Sequence, residues 1–202
     1  MKILGMLVSA AAMLFASACD QNGSAQSMSA SINYWSMQRD AKKAYPNLPK
    51  NEAQLQYAKR MIGHALMNES DPAKKQWLAT QFYLGYAFMV GRAVPDYCSE
   101  MNFEMDGLRK LYRSQNRLLE RQADKVLESR GLTREDVWNR AKGRLKSSAK
   151  AQLVNPSGVG GGGSYDTCKV LRDQPHLLTS RVQFSSQFSN VVTAMNLPLD
   201  GA

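Results

Sequence analysis

The sequence predicts an all-α protein, a single bundle of about six helices stapled by one disulfide. Three observations predict it. Apolar residues recur three and four apart through nearly every segment, and no stretch alternates as a half-buried strand would. Two cysteines, Cys98 and Cys168, lie inside the periodic region. The 202 residues, 44% of them hydrophobic, are enough for one packed core.

The helices follow in order. Ser31 to Tyr45 predicts the first, closed by Pro46 and Pro49. Asn51 is placed to cap the second, which runs to about Met67 with Leu55, Ala58, Ile62 and Leu66 on one stripe. Ser70-Asp71-Pro72 puts a capping side chain ahead of a first-turn proline and starts the third. This helix extends to about Gly91, and with Leu78, Phe82, Tyr83, Leu84, Tyr86, Phe88 and Met89 it is apolar on most sides, the mark of a central helix.

Pro95 opens a short helical piece carrying Cys98, with a bend near Asn102. The longest helix spans about Met105 to Ser129, its inner face read as Leu108, Leu111, Tyr112, Leu118, Leu119 and Val126, with Gly131 as terminator. Thr133 with Asp136 begins the next as a capping box. It reaches about Lys150, and its apolar face, anchored by Trp138 and Leu145, is thin enough to predict a peripheral position. Residues 155–164, rich in glycine, read as a flexible connection. They lack the lysine and following Ser or Thr of a phosphate-binding loop. Tyr165 to Asn196 completes the bundle, jointed at Pro175, with Leu178, Val182, Ser185, Phe188, Val192 and Met195 as the buried stripe.

The N-terminus follows another pattern. Lys2, the apolar run Ile3 to Phe15, and Ala16-Ser17-Ala18 have the order of an export signal, 1–18. The apolar run is shorter than the roughly 20 residues a spanning helix needs. Cleavage after Ala18 makes Cys19 the first residue, and this opening resembles a bacterial lipoprotein signal. The resemblance covers the first 20 or so residues and implies that Cys19 carries the lipid anchor. Ala16 stands where that family prefers leucine, and Ala16-Ser17-Ala18 also suits ordinary signal peptidase. Residues 19–31 are small and polar, a tether of on the order of 20 Å as a coil, and 32–202 form the helical domain. The expected location is membrane-anchored facing the periplasm, the alternative a soluble periplasmic or secreted chain.

Cysteine arithmetic joins the two ends of this reading. Three cysteines in an oxidising compartment leave one free; with Cys19 lipidated, Cys98 and Cys168 form an even pair. A bridge across about 70 residues would contribute roughly 4 kcal/mol in the chain-entropy model.

Chemistry is sparse. The two histidines, His64 and His176, have no partner at metal spacing, and no nucleophile elbow, C-x-x-C pair or haem attachment occurs. Glu100, Glu104 and Asp106 cluster near the bend but read as helix-start charges. No catalytic residue, metal ligand or cofactor is assigned, so an enzyme is disfavoured. Soft ligands suit Cu(I), and the lines Cys98-Met101-Met105 and Met61-His64-Met67 frame a second reading, a small-ligand or Cu(I)-binding bundle.

The formal net charge of +9 favours anionic partners, and export sets nucleic acid aside. Arg109, Arg113, Arg117 and Arg121 step by four along the longest helix and mark a strip for an anionic protein. The expected function is therefore a tethered, non-enzymatic protein of the cell envelope that binds a protein partner, as an assembly factor or as a protective inhibitor.

Intact mass and membrane fractionation check the anchor. The mature chain is expected to begin at Cys19, to carry acyl mass and to sediment with membranes, and Cys19→Ser to release it or block processing. A soluble product with an unmodified N-terminus rules the anchor out.

Overall fold

The computed structural model describes residues 34–154 and 163–197. The expected export signal (1–18), Cys19, the expected tether (19–31) and most of the glycine-rich stretch lie outside the described residues. Within them the chain is all-α. The elements are α1 (Tyr34–Ala44), α2 (Lys50–Asn68), α3 (Pro72–Phe88), a π-helical segment (Met89–Ala93), α4 (Val94–Glu100), α5 (Asp106–Glu128), α6 (Arg134–Val154) and α7 (Ser164–Asp173). A 3₁₀ turn (Pro175–Leu178) and three short helices, α8 (Thr179–Val182), α9 (Phe184–Gln187) and α10 (Ser189–Met195), follow. Among the described residues no helix is long and apolar enough to cross a membrane.

The centre is the rod made by α3, the π segment and α4. Asp71 starts it, its Oδ1 accepting from the amides of Ala73 at 2.9 Å and Lys74 at 3.1 Å. The rod does not stop at Gly91 as the sequence suggests. It continues into α4, because the turn ahead of Pro95 widens and the Val94 amide bonds to the Met89 carbonyl, five residues back. Pro95 has no N–H to give to Gly91, and in a regular helix its ring would press on that carbonyl. The wider turn removes the conflict. Every residue from Ala79 to Val90 is buried.

Around this rod, α2 and α10 cover one flank, α5 another, and α6 leans on the π segment and α4, while α1 pairs with α2. The α2 stripe holds, with Ala58, Ile62 and Leu66 buried. Its start is two residues earlier than expected: Pro49, not Asn51, occupies the cap, with no side-chain bond. The end of α5 is a Schellman turn, Leu132 N–H to Leu127 O and Gly131 N–H to Glu128 O, both 3.0 Å, with Gly131 at φ 64°. Thr133 and Asp136 exchange the expected capping-box bonds, Thr133 N–H to Asp136 Oδ2 at 2.9 Å and Asp136 N–H to Thr133 Oγ1 at 3.1 Å. The α6 face is fuller than the sequence suggested, since Val137, Ala141, Ala149 and Leu153 are buried beside Trp138 and Leu145. Alanines look thin in a pattern but let helices approach closely.

Two inner-face assignments change. Leu118 is 77% exposed, because it lies far round α5 from Leu108, Tyr112, Leu119 and Val126. Asn116 is buried on the core side instead. Phe184 and Val191 are likewise buried in the C-terminal segment, where the pattern named Ser185 and Val192.

That segment is held by side chains from the rod and α5. Asn116 Nδ2 donates to Val182 O at 2.8 Å and to Tyr112 O at 3.0 Å, while its Oδ1 accepts from the Phe184 amide at 3.2 Å. The Tyr86 hydroxyl also donates to Val182 O. Gln76 and Gln122 donate to Met195 O at 3.2 and 2.9 Å, closing the end of α10. Cys98 and Cys168 are bonded, their Cα atoms 5.5 Å apart across 70 residues of sequence, so α7 is pinned to α4.

The bridge and the core can be separated by experiment. Replacing both Cys98 and Cys168 by alanine removes about 4 kcal/mol of loop restriction, which for a chain of this size lowers Tm by about 10 °C. Circular dichroism should still report the native helix content at 20 °C. An unchanged Tm would mean that the reduced unfolded chain is already restricted.

Candidate functional site

Where α5 and the first turn of α6 approach the π segment they leave a cleft of about 750 Å³. Its floor is apolar: Ala87, Phe88, Gly91, Tyr112 and Leu127. Gly91 is required there. A Cβ at that position would meet Tyr112 Cε1 at 2.8 Å and Cδ1 at 2.9 Å, so the ring rests directly on the π segment's backbone. Phe88 packs on Trp138 with ring centroids 5.5 Å apart.

The walls are charged, and most of the charges hold one another. Arg92 lies over Trp138 at 4.3 Å and donates to both Glu135 oxygens at 2.7 and 3.3 Å. Arg109 reaches Asp96 at 3.1 Å and Asp106 at 3.5 Å. Arg134 makes a fork on Asp124, 2.7 and 3.1 Å, and reaches Glu120 at 3.2 Å. Arg113 and Glu128 also line the cleft, and among the described residues neither has an opposite charge within 4 Å.

Beneath the floor, the Tyr83 and Tyr112 hydroxyls meet at 3.2 Å. Burial pushes both phenols well up, with the neighbouring tyrosine adding to the effect at Tyr112, so neither supplies a base near neutral pH. The cleft lining contains no histidine, cysteine or lysine. Its hydroxyls are those of Tyr112 and Thr133, and Thr133 is engaged in the α6 cap. Such a lining can orient and bind; it assembles no nucleophile beside a base.

The four arginines named from sequence do not share one surface. A step of four residues turns an α-helix about 40° past a full circle, so the row winds around α5. Arg109 and Arg113 face the cleft. Arg117 and Arg121 are exposed further round, on the side to which Leu118 belongs. Arg109 is neutralised by Asp96 and Asp106. Among the described residues no carboxylate lies within 4 Å of Arg113, Arg117 or Arg121.

Other sequence candidates stay apart from the cleft. Cys98 is consumed by Cys168 and offers no thiolate to copper, and Met105 is buried. His64 is exposed and bonds Asn68 at 3.0 Å; Met67 is 76% exposed. Glu100 pairs with Lys146 at 3.5 Å and Asp106 with Arg109, while Glu104 is exposed. Among the described residues no group of three His, Cys, Asp or Glu side chains is arranged to hold a metal ion.

Sequence reasoning passed over Arg92, Arg134 and Glu135. Arg92 had a signal, as the lone charge between Lys75 and Asp96. Arg134 and Glu135 had none beyond their place in a first helical turn. No family model, curated protein or solved structure matches the chain.

The Arg92 hydrogen bond holds the Glu135 carboxyl below the usual range, and Thr133 does the same for Asp136. A carboxyl depressed on folding stabilises fully above its unfolded pKa, near pH 4, and that stabilisation is lost as pH falls through the folded value. Tm should therefore be level from pH 7 to about 5 and fall below about 4, with a shallower acid limb in Glu135→Gln. A pH series of thermal melts checks this. An identical acid limb in the variant would remove the Arg92 pair from the acid response.

Proposed function

We propose that this chain is a non-enzymatic helical protein of the bacterial cell envelope, tethered through Cys19 and docking a protein partner with an acidic face, as an assembly factor or protective inhibitor. The observation that carries the reading is the set Arg113, Arg117 and Arg121 on α5. All three are exposed and without a carboxylate within 4 Å among the described residues, and Leu118, on the side of Arg117 and Arg121, is 77% exposed. Cations already paired with their own chain have little left for a partner; these three keep their full charge. An apolar side chain on the same side as two of them adds contact area of the kind that docking surfaces use. The excess of +9 extends the attraction beyond contact range.

The reading fits the lack of a nucleophile–base pair in the cleft. It also fits a core in which the rings of Tyr83, Tyr86, Phe184 and Phe188 are buried and pack on one another.

The test uses the full-length protein, wild type and Arg117→Glu/Arg121→Glu, as bait for envelope extracts, followed by kinetics with the partner retained. Neither residue pairs with a carboxylate among the described residues, so Tm should stay within about 2 °C, as for surface changes generally. Association should slow by about tenfold at low ionic strength, with the difference shrinking as salt shortens the Debye length. A partner that binds both proteins at the same rate would sink the arginine surface as the docking element.

A further inference from the structure

The cleft has a polarity that the docking surface alone does not explain. Along its α5 wall the charge changes sign: Arg109 and Arg113 line the first half, Glu120, Asp124 and Glu128 the second. Arg109, Glu120 and Asp124 are spent on Asp96, Asp106 and Arg134. The other two, Arg113 and Glu128, are not paired among the described residues. Glu128 is moreover the last residue of α5, where the helix dipole disfavours a carboxylate. Helix stability therefore gives no reason for an acid there.

We propose that the cleft seats one extended segment of the protein partner, with acidic residues toward Arg113 and basic residues toward Glu128. This rests on the docking reading above and adds to it the charge pattern of the segment. The dimensions agree. Arg113 and Glu128 are fifteen residues apart on one helix, about 22 Å at 1.5 Å per residue, which an extended chain covers in about seven residues. Phe88, Tyr112 and Leu127 offer an apolar floor to such a segment. The forked Arg134–Asp124 and Arg92–Glu135 pairs hold the walls in place before anything binds, and preorganisation of this kind reduces the ordering cost of association. A small zwitterion would satisfy one end only, because its charges are a few ångströms apart.

The experiment uses two labelled eight-residue peptides of identical composition and the full-length protein, read by fluorescence anisotropy. One peptide has two aspartates, a four-residue Gly/Ser spacer and two lysines; in the other the same charges alternate at both ends. The segregated peptide is expected to bind at least tenfold more tightly. Arg113→Glu and Glu128→Lys should each bring it down to the level of the alternating peptide. The double variant Arg113→Glu/Glu128→Lys should restore binding, with the peptide reversed. Both positions are exposed and, among the described residues, unpaired, so melting curves should overlay those of the wild type. Equal affinity for the two peptides, or no binding of either, overturns the proposal, as does saturation by a single free amino acid with neither peptide bound. Arg117→Glu/Arg121→Glu separates this from the docking reading. It should leave peptide affinity unchanged while slowing the partner, so each idea can fail without the other.

Discussion

A helix that is apolar on every side has to be covered on every side, and the rest of this molecule is arranged to satisfy that constraint. From Ala79 to Val90 no residue of the central rod reaches solvent, so α2, α10, α5 and α6 take positions around it. Pro95 adds a second demand. The rod can pass the proline only by widening the turn before it, and that widened turn presents Gly91 to Tyr112 and Arg92 to Glu135. The cleft thus forms at the place where the rod departs from ideal helix geometry, and π turns often mark functional positions.

The C-terminal segment shows how weak local structure is stabilised by distant partners. Helices of four to seven residues such as α8, α9 and α10 are far below the length at which an isolated helix persists in water. Two kinds of fastening replace propensity. The disulfide limits the unfolded chain by about 4 kcal/mol. Asn116 accepts from the buried Phe184 amide and donates to Val182 O, and a buried amide left without a partner costs about 1–3 kcal/mol. Both act across more than 60 residues of sequence, which explains why a segment so broken can still close the core over Phe184 and Phe188.

The ion pairs of the cleft play a different part. Their side chains are between 20% and 61% exposed, and pairs of that kind contribute about 0–1 kcal/mol each. Stability does not explain so many of them in one place. Their effect is orientation: the paired guanidiniums are fixed in plane and direction, and the charges left over, Arg113 and Glu128, stand about 22 Å apart along one wall.

What the sequence determined by itself is local. Helical period, the Asp71 and Thr133–Asp136 caps, the Gly131 stop and the even pair Cys98–Cys168 were all legible, because each depends on residues within a turn or two or on counting. The four-residue step of the α5 arginines was legible for the same reason, as a spacing and not as a site. The tertiary structure decided the rest. Leu118 reads as core in a seven-residue repeat with Leu111, yet the face that meets the rod is centred elsewhere, so Leu118 is in water and Asn116 inside. The evenly stepped arginines wind about 40° per step, so which of them face the cleft depends on where α5 touches the rod. Arg92 finds Glu135 across 43 residues, a pairing set by the meeting of two helices and by the widened turn that Pro95 requires. Caps and periods are short-range interactions that a few residues encode; faces, clefts and long-range pairs depend on how whole helices pack, and that is settled only when the core closes.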